Sequence, residues 1–119
     1  MAYAVAADAR LRIGQSQSAI DILKPAYDRD PMQDEITRRL VMAYEMTKRY
    51  PEALTVLDGY LIRHPDDQDM LFAAIVSQYE AVRGGQIMSN IDRNKVQGYA
   101  AAYRGPNRTL VDKYLETMR

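Results

Sequence analysis

The feature that most restricts this chain is a period. The stretch QSAIDILKPAYDRDPMQ, from Gln17 to Gln33, shares its skeleton with YPEALTVLDGYLIRHPDD, from Tyr50 to Asp67. At an offset of 34 residues Ala9 falls on Ala43, Ala19 on Ala53, Leu23 on Leu57, Arg29 on Arg63 and Pro31 on Pro65. Five identities in fixed order, inside a matching apolar pattern, mark an internal repeat. A short unit repeated in this way cannot bury its apolar side alone. It has to stack on its neighbours, and this restricts the chain to an array of like units.

The units are helical. Alanine, leucine, methionine, arginine and glutamate are abundant, and glycine and proline cluster between the runs. Helices are expected over about 2–13, ended by Gly14, and over 16–29, with Ile20, Leu23 and Tyr27 at helical spacing. A third covers 33–47, with Ile36, Leu40, Ala43 and Tyr44 on one stripe. Pro51 sits in the first turn of a fourth, where its missing N–H costs little, and Leu54, Leu57 and Leu61 follow. A fifth over 67–82 has Leu71, Ile75 and Tyr79 as its stripe, and RGG stops it. After the longer connection QIMSNID, a sixth covers 90–103, with Ser89 and Asp92 as a capping box. The seventh, 108–118, has Leu110, Val111, Tyr114 and Leu115 on one side, and Thr109 with Asp112 as a second capping box. Pro25, inside the second helix, should kink its last turn. No stretch alternates as a strand does. The expected fold is all-α, with consecutive helices joined by short turns.

A 34-residue helix–turn–helix unit built in this way resembles the tetratricopeptide repeat family. In 34–67, Leu40, Ala43 and Tyr44 match the first-helix signature, and Tyr50 precedes the second helix. Ala53, Leu57 and Pro65 match its second-helix and closing positions. The preceding unit places Ala6, Ala7, Ala9, Gly14, Ala19, Leu23, Ala26 and Pro31. The departures are specific. Tyr3 and Thr37 stand at the tryptophan-type position, Val41 and Ile75 at the small first-helix position, and Tyr60 at the closing small position. The third unit matches in its first helix. If Pro106 closes it, the unit is 41 residues long, with a seven-residue insertion around 84–90 and Ala101 at a small-residue position. The resemblance implies a right-handed superhelical α-α solenoid with an atypical third unit and a C-terminal capping helix. It also implies a single domain over 1–119, with units at about 1–33, 34–67 and 68–106 and the cap at 107–119.

Composition removes most chemistry. The 119 residues make one domain or a piece of one. Sixteen basic and sixteen acidic residues cancel, so the basic excess of a nucleic-acid footprint is missing, and an RNA-binding helical repeat is the weakest reading. There is no cysteine, hence no disulfide or thiol chemistry. No apolar run approaches the ~20 residues that span a bilayer. The opening MAYAVAADARLR is interrupted by Asp8 and Arg10 and lacks a basic leader. It reads as a helix entered part-way, in a segment of a longer array, and not as a signal peptide. His64, the sole histidine, sits in RHPDD and reads as a turn residue at a helix end. PDDQD lacks the glycine turn and distal glutamate of a calcium loop and reads as charge at a helix N-terminus. RGGQ and RGPN lack phosphate-cradle spacing. No catalytic set, metal or cofactor is expected. Of the nine tyrosines, Tyr27, Tyr44 and Tyr99 fall on apolar stripes and are expected in the core, with hydroxyls reaching the rim.

What remains is surface. The resemblance implies that the first helix of each unit lines a concave groove for an extended peptide or a partner helix. Carried onto this chain, the groove positions are Ala4, Val5, Asp8, Leu11 and Arg12, then Glu35, Arg38, Arg39, Met42, Glu45 and Met46, then Phe72, Ala73, Val76, Tyr79 and Glu80. Arg38 and Arg39 suit acidic groups on a ligand. Met42, Met46, Phe72, Val76 and Tyr79 make an adaptable apolar floor. Ala4 and Asp8 stand where some relatives clamp a peptide carboxylate, and they do not suit that mode. The first reading is a non-catalytic module binding a protein partner, with self-association through the apolar side of the first helix. The alternative is a capping or dimerisation element of a larger protein, whose groove is filled by the last helix or by a neighbouring chain.

Overall fold

A computed structural model describes residues 15–86 and 90–118, the side chains of 90–93 excepted. Among these residues there are six α-helices and no strand: α1 (Ser16–Arg29), α2 (Asp34–Met46), α3 (Tyr50–Arg63), α4 (Gln68–Arg83), α5 (Asn90–Ala102) and α6 (Arg108–Met118). All-α architecture is therefore observed, with helix ends within a residue of the expected ones. The helix expected over 2–13 and the capping box of Ser89 with Asp92 lie outside what is described. The chain divides into two compact units, 1–56 and 57–119.

In the first unit α1 packs against α2. Ala19, Leu23, Leu40, Ala43 and Ala53 are completely buried. Each buried leucine contributes roughly 1.5–3 kcal/mol relative to exposure. The small residues let helices approach closely, as the repeat pattern requires. The turn at 30–33 is fixed by Asp30, whose carboxylate accepts from the Met32 N–H at 3.1 Å and from Gln33 Nε2 at 3.3 Å. Thr37, at the tryptophan-type position, is 1% exposed, and its hydroxyl donates to the Gln33 carbonyl at 3.1 Å. Burial of this polar group is thus compensated. Helix α1 continues through Pro25 to Arg29.

In the second unit α4 packs against both α5 and α6. Tyr60 fills the closing small position at 1% exposure. Its hydroxyl donates to Asp67 Oδ2 at 2.5 Å, while Asp67 Oδ1 accepts from the Met70 N–H at 3.2 Å. Asp67 is therefore the N-cap of α4, and the PDDQD acids serve a helix N-terminus as expected. His64 belongs to the same corner, its ring 4.7 Å from that of Tyr60. Helix α5 is tied to α3 through Asp58, which accepts from Tyr99 at 2.5 Å and pairs with Lys95 at 3.2 Å. Burial, reinforced by the Asp58 carboxylate, pushes the Tyr99 hydroxyl well above its usual pKa.

The insertion is distributed differently from the sequence expectation. Helix α2 has 13 residues and α4 has 16. Both end in the same motif. Lys48 N–H donates to Glu45 O and Arg49 N–H to Tyr44 O; Gly85 N–H donates to Val82 O and Gln86 N–H to Ala81 O. Lys48 and Gly85 each carry positive φ, 59° and 76°. Three of the extra residues therefore form nearly one added helical turn in α4.

Three apolar stripes also need correction. On α4 the buried residues are Met70, Leu71, Ala74, Ile75, Ser77, Gln78 and Ala81, and Tyr79 is only half-buried. On α1 Ala26 is buried where Tyr27 was expected, and Tyr27 is half-buried, as is Tyr99 on α5. On α6 Val111 and Met118 are buried, Tyr114 and Leu115 half-buried and Leu110 exposed. The second capping box does not form: Thr109 lies inside α6, and Asp112 pairs with Arg108 at 3.1 Å.

Candidate protein-interaction site

The groove positions expected on the first helices fall on α2 in the first unit and on α4 in the second. On α2 they form one stripe at helical spacing. Arg38 is exposed at the head of this stripe. Arg39 is half-buried, donating to the Glu35 carbonyl at 3.2 Å and lying 3.8 Å from its carboxylate. Met42 and Met46, one turn apart, are 52% and 51% exposed. Glu45 lies beside them, half-buried. Burial alone pushes its carboxyl up to about 7. A desolvated carboxyl flanked by two exposed thioethers is an unusual surface. It joins apolar area to a carboxyl whose burial favours the protonated form.

On α4 the equivalent residues Phe72, Val76, Tyr79 and Glu80 are all half-buried. Two carry aromatic contacts from the C-terminal part of the same unit. The Phe72 ring lies 5.8 Å from that of Tyr103, and Tyr79 stacks on Tyr114 at 4.2 Å with the planes 26° apart. Gln68 Oε1, at the start of α4, accepts from the Arg104 N–H at 2.5 Å.

Among the described residues no three histidine or acidic side chains converge on a metal-sized site. No described helix is long and apolar enough to cross a membrane. What the structure offers is two helix faces, one open and one covered. A family model for the tetratricopeptide repeat matches residues 10–75. The chain belongs to the tetratricopeptide repeat family. Repeats of this family generally mediate protein–protein interactions and are typically non-catalytic. No curated protein and no solved structure gives a significant match. The family match ends inside α4, so the added turn, α5 and α6 lie beyond it.

Reasoning from sequence offered the last helix as a filler of the groove but did not identify which residues meet α4. Tyr103 and Tyr114 were visible only as parts of apolar runs. Nothing local in either run points to Phe72 or Tyr79, some 30 positions earlier.

Proposed function

We propose that this tetratricopeptide repeat segment is a non-catalytic interaction module of a larger protein, holding a peptide or partner helix against the groove faces of its first helices. Arg38, Arg39, Met42, Glu45 and Met46 supply the contacts on α2, and Phe72, Val76 and Tyr79 those on α4. The module is read as one repeat domain, with units at about 1–33, 34–67 and 68–106 and a cap at 107–119. The observation that carries this reading is the pair Met42 and Met46. Two large apolar side chains more than half exposed on one stripe are costly to leave in water and well suited to a partner, since a thioether chain adapts to many shapes. The arginines above them add bidentate recognition of carboxylates. The partner expected is therefore an apolar segment carrying acidic residues.

The test is affinity capture with the whole protein from its native cells. Met42→Glu with Met46→Glu, and separately Arg38→Glu with Arg39→Glu, should each reduce recovery of specific partners about tenfold, a loss of roughly 1.4 kcal/mol. Ile62→Glu, at a side chain 82% exposed on α3, is the control and should change nothing. Equal recovery in all three overturns the α2 reading.

A second reading, a capping or dimerisation element, is favoured by the Tyr79–Tyr114 stack, which closes the α4 face from within the chain. It predicts self-association, including through the first helix. Light scattering showing a strict monomer at high concentration removes it.

A further inference from the structure

We propose that α6 is a built-in occupant of the α4 face, and that this face takes in its place a partner helix of the same chemistry: aliphatic, aromatic and long apolar side chains at i, i+3 and i+7. The proposal rests on the reading that Phe72, Val76 and Tyr79 form a partner-binding face.

Helix α6 is itself the template. Val111 is completely buried, Tyr114 stacks on Tyr79 and Met118 is buried at the last turn. This is one stripe along a helix. Thr109, Asp112, Lys113, Glu116 and Thr117 are exposed, so the helix is amphipathic and soluble when undocked.

Its docking is shallow. Eleven residues are fewer than the ~12–15 at which an isolated helix becomes marginally stable, and only two of them are buried. Helicity in α6 therefore depends on α4. The connection before it is built to stay when the helix leaves. The Tyr103 ring holds to Phe72, and its hydroxyl accepts from the Asn107 N–H at 3.1 Å. The Arg108 guanidinium donates to the carbonyls of Ala100 and Tyr103. A Cβ at residue 105 would collide with the Tyr103 ring, so Gly105 is required for this close turn. The firm elements end at Arg108, the first residue of α6, and Val111, Tyr114 and Met118 hold the rest of the helix. Local opening of such a segment precedes global unfolding.

The experiment uses the full chain, wild type and the variant Val111→Ala with Tyr114→Ala, and a fluorescent peptide of sequence NRTLVDKYLETMR as the probe. A control peptide has alanine at the three stripe positions. The internal helix lowers the apparent affinity of a competitor by the fraction of open molecules. The variant should therefore bind the probe at least tenfold more tightly than wild type, and neither should bind the control. Hydrogen exchange should show the 108–118 amides opening ahead of α4 in wild type. In the variant they should lose protection while α4 keeps it. A variant with α6 released and α4 protected, yet with wild-type probe affinity, overturns the proposal. So does exchange of α6 only together with α4. If the double variant also loses α4 protection, Met118→Ala read in the same way decides. No external partner enters the measurement, so failure here leaves the α2 face to its own capture test.

Discussion

Arg38, Met42, Glu45 and Met46 on α2 stand 34 residues before Phe72, Val76, Tyr79 and Glu80 on α4. The repeat gives the two sets the same places, yet their surroundings differ. On α2 Arg38, Met42 and Met46 stay exposed, with Glu45 half-buried beside them. On α4 the same positions carry rings, and the rings are met by Tyr103 and Tyr114. A repeat pattern thus fixes where a side chain stands on its helix, while the residue type and the chain that follows decide what covers it. Phenylalanine and tyrosine in place of arginine and glutamate make burial favourable on α4. Tyr103, just after α5, and Tyr114 on α6 then supply the cover.

The largest break in this comparison should come from Val111→Asp. A carboxylate would enter a fully buried site with no partner. We expect α6 to undock and the second unit to lose about 2–4 kcal/mol, with the α4 face becoming open like that of α2. Hydrogen exchange should show the loss at 108–118 and no change in α1 and α2. An equal rise of exchange in α1 and α2 would mean that the two faces are not independent.

A smaller effect, on the opposite face, is set by pH. Burial raises the Glu45 carboxyl from 4.5 to about 7 in the folded chain. Between these values the native state keeps a proton that the unfolded chain has lost. The contribution is therefore fully present below 4.5, is lost as pH rises through 7, and is level above that. About 2 kcal/mol separates the extremes, allowing for partial solvent screening. Denaturation at pH 5 and pH 8 should show this difference in wild type relative to Glu45→Gln. Identical pH profiles would show that the carboxyl is solvated and that the α2 surface is more polar than described.

Much of this structure was legible because its signals are local. Pro31 and Pro65 each follow a helix end by two residues, and Asp67 caps the next helix. The stripes were less exact for a geometric reason. Steps of four residues overshoot a helical turn by about 40°, so Leu71, Ile75 and Tyr79 drift off the buried face that Leu71, Ala74, Ile75 and Gln78 hold. At the end of α4 two adjacent glycines offer two stops, Gly84 as the C-cap and Gly85, the later, with positive φ. For the candidate site, the groove positions read from the repeat pattern stand on α2 and α4. Cover was legible only as the alternative in which the last helix fills the groove, since the contact of Tyr79 with Tyr114 joins segments separated by the whole of α5.

The smallest effect tests that later stop, where the two first helices end alike but in different residues. Lys48 adopts φ 59° and Gly85 φ 76°, with the same pair of backbone hydrogen bonds. A side chain in the left-handed region costs on the order of 1 kcal/mol, which glycine avoids. Lys48 is exposed, so its side chain gives little in return. Lys48→Gly should therefore stabilise the end of α2 by about 0.5–1 kcal/mol. Gly85→Ala should destabilise the end of α4 by a similar amount, although a Cβ there meets nothing within 4 Å. Opposite signs at the two sites, read from exchange of the Arg49 and Gln86 amides, would show that backbone conformation governs both ends. Loss of stability in Lys48→Gly would mean that the lysine side chain holds the turn, and the two helix ends would then be alike in geometry only.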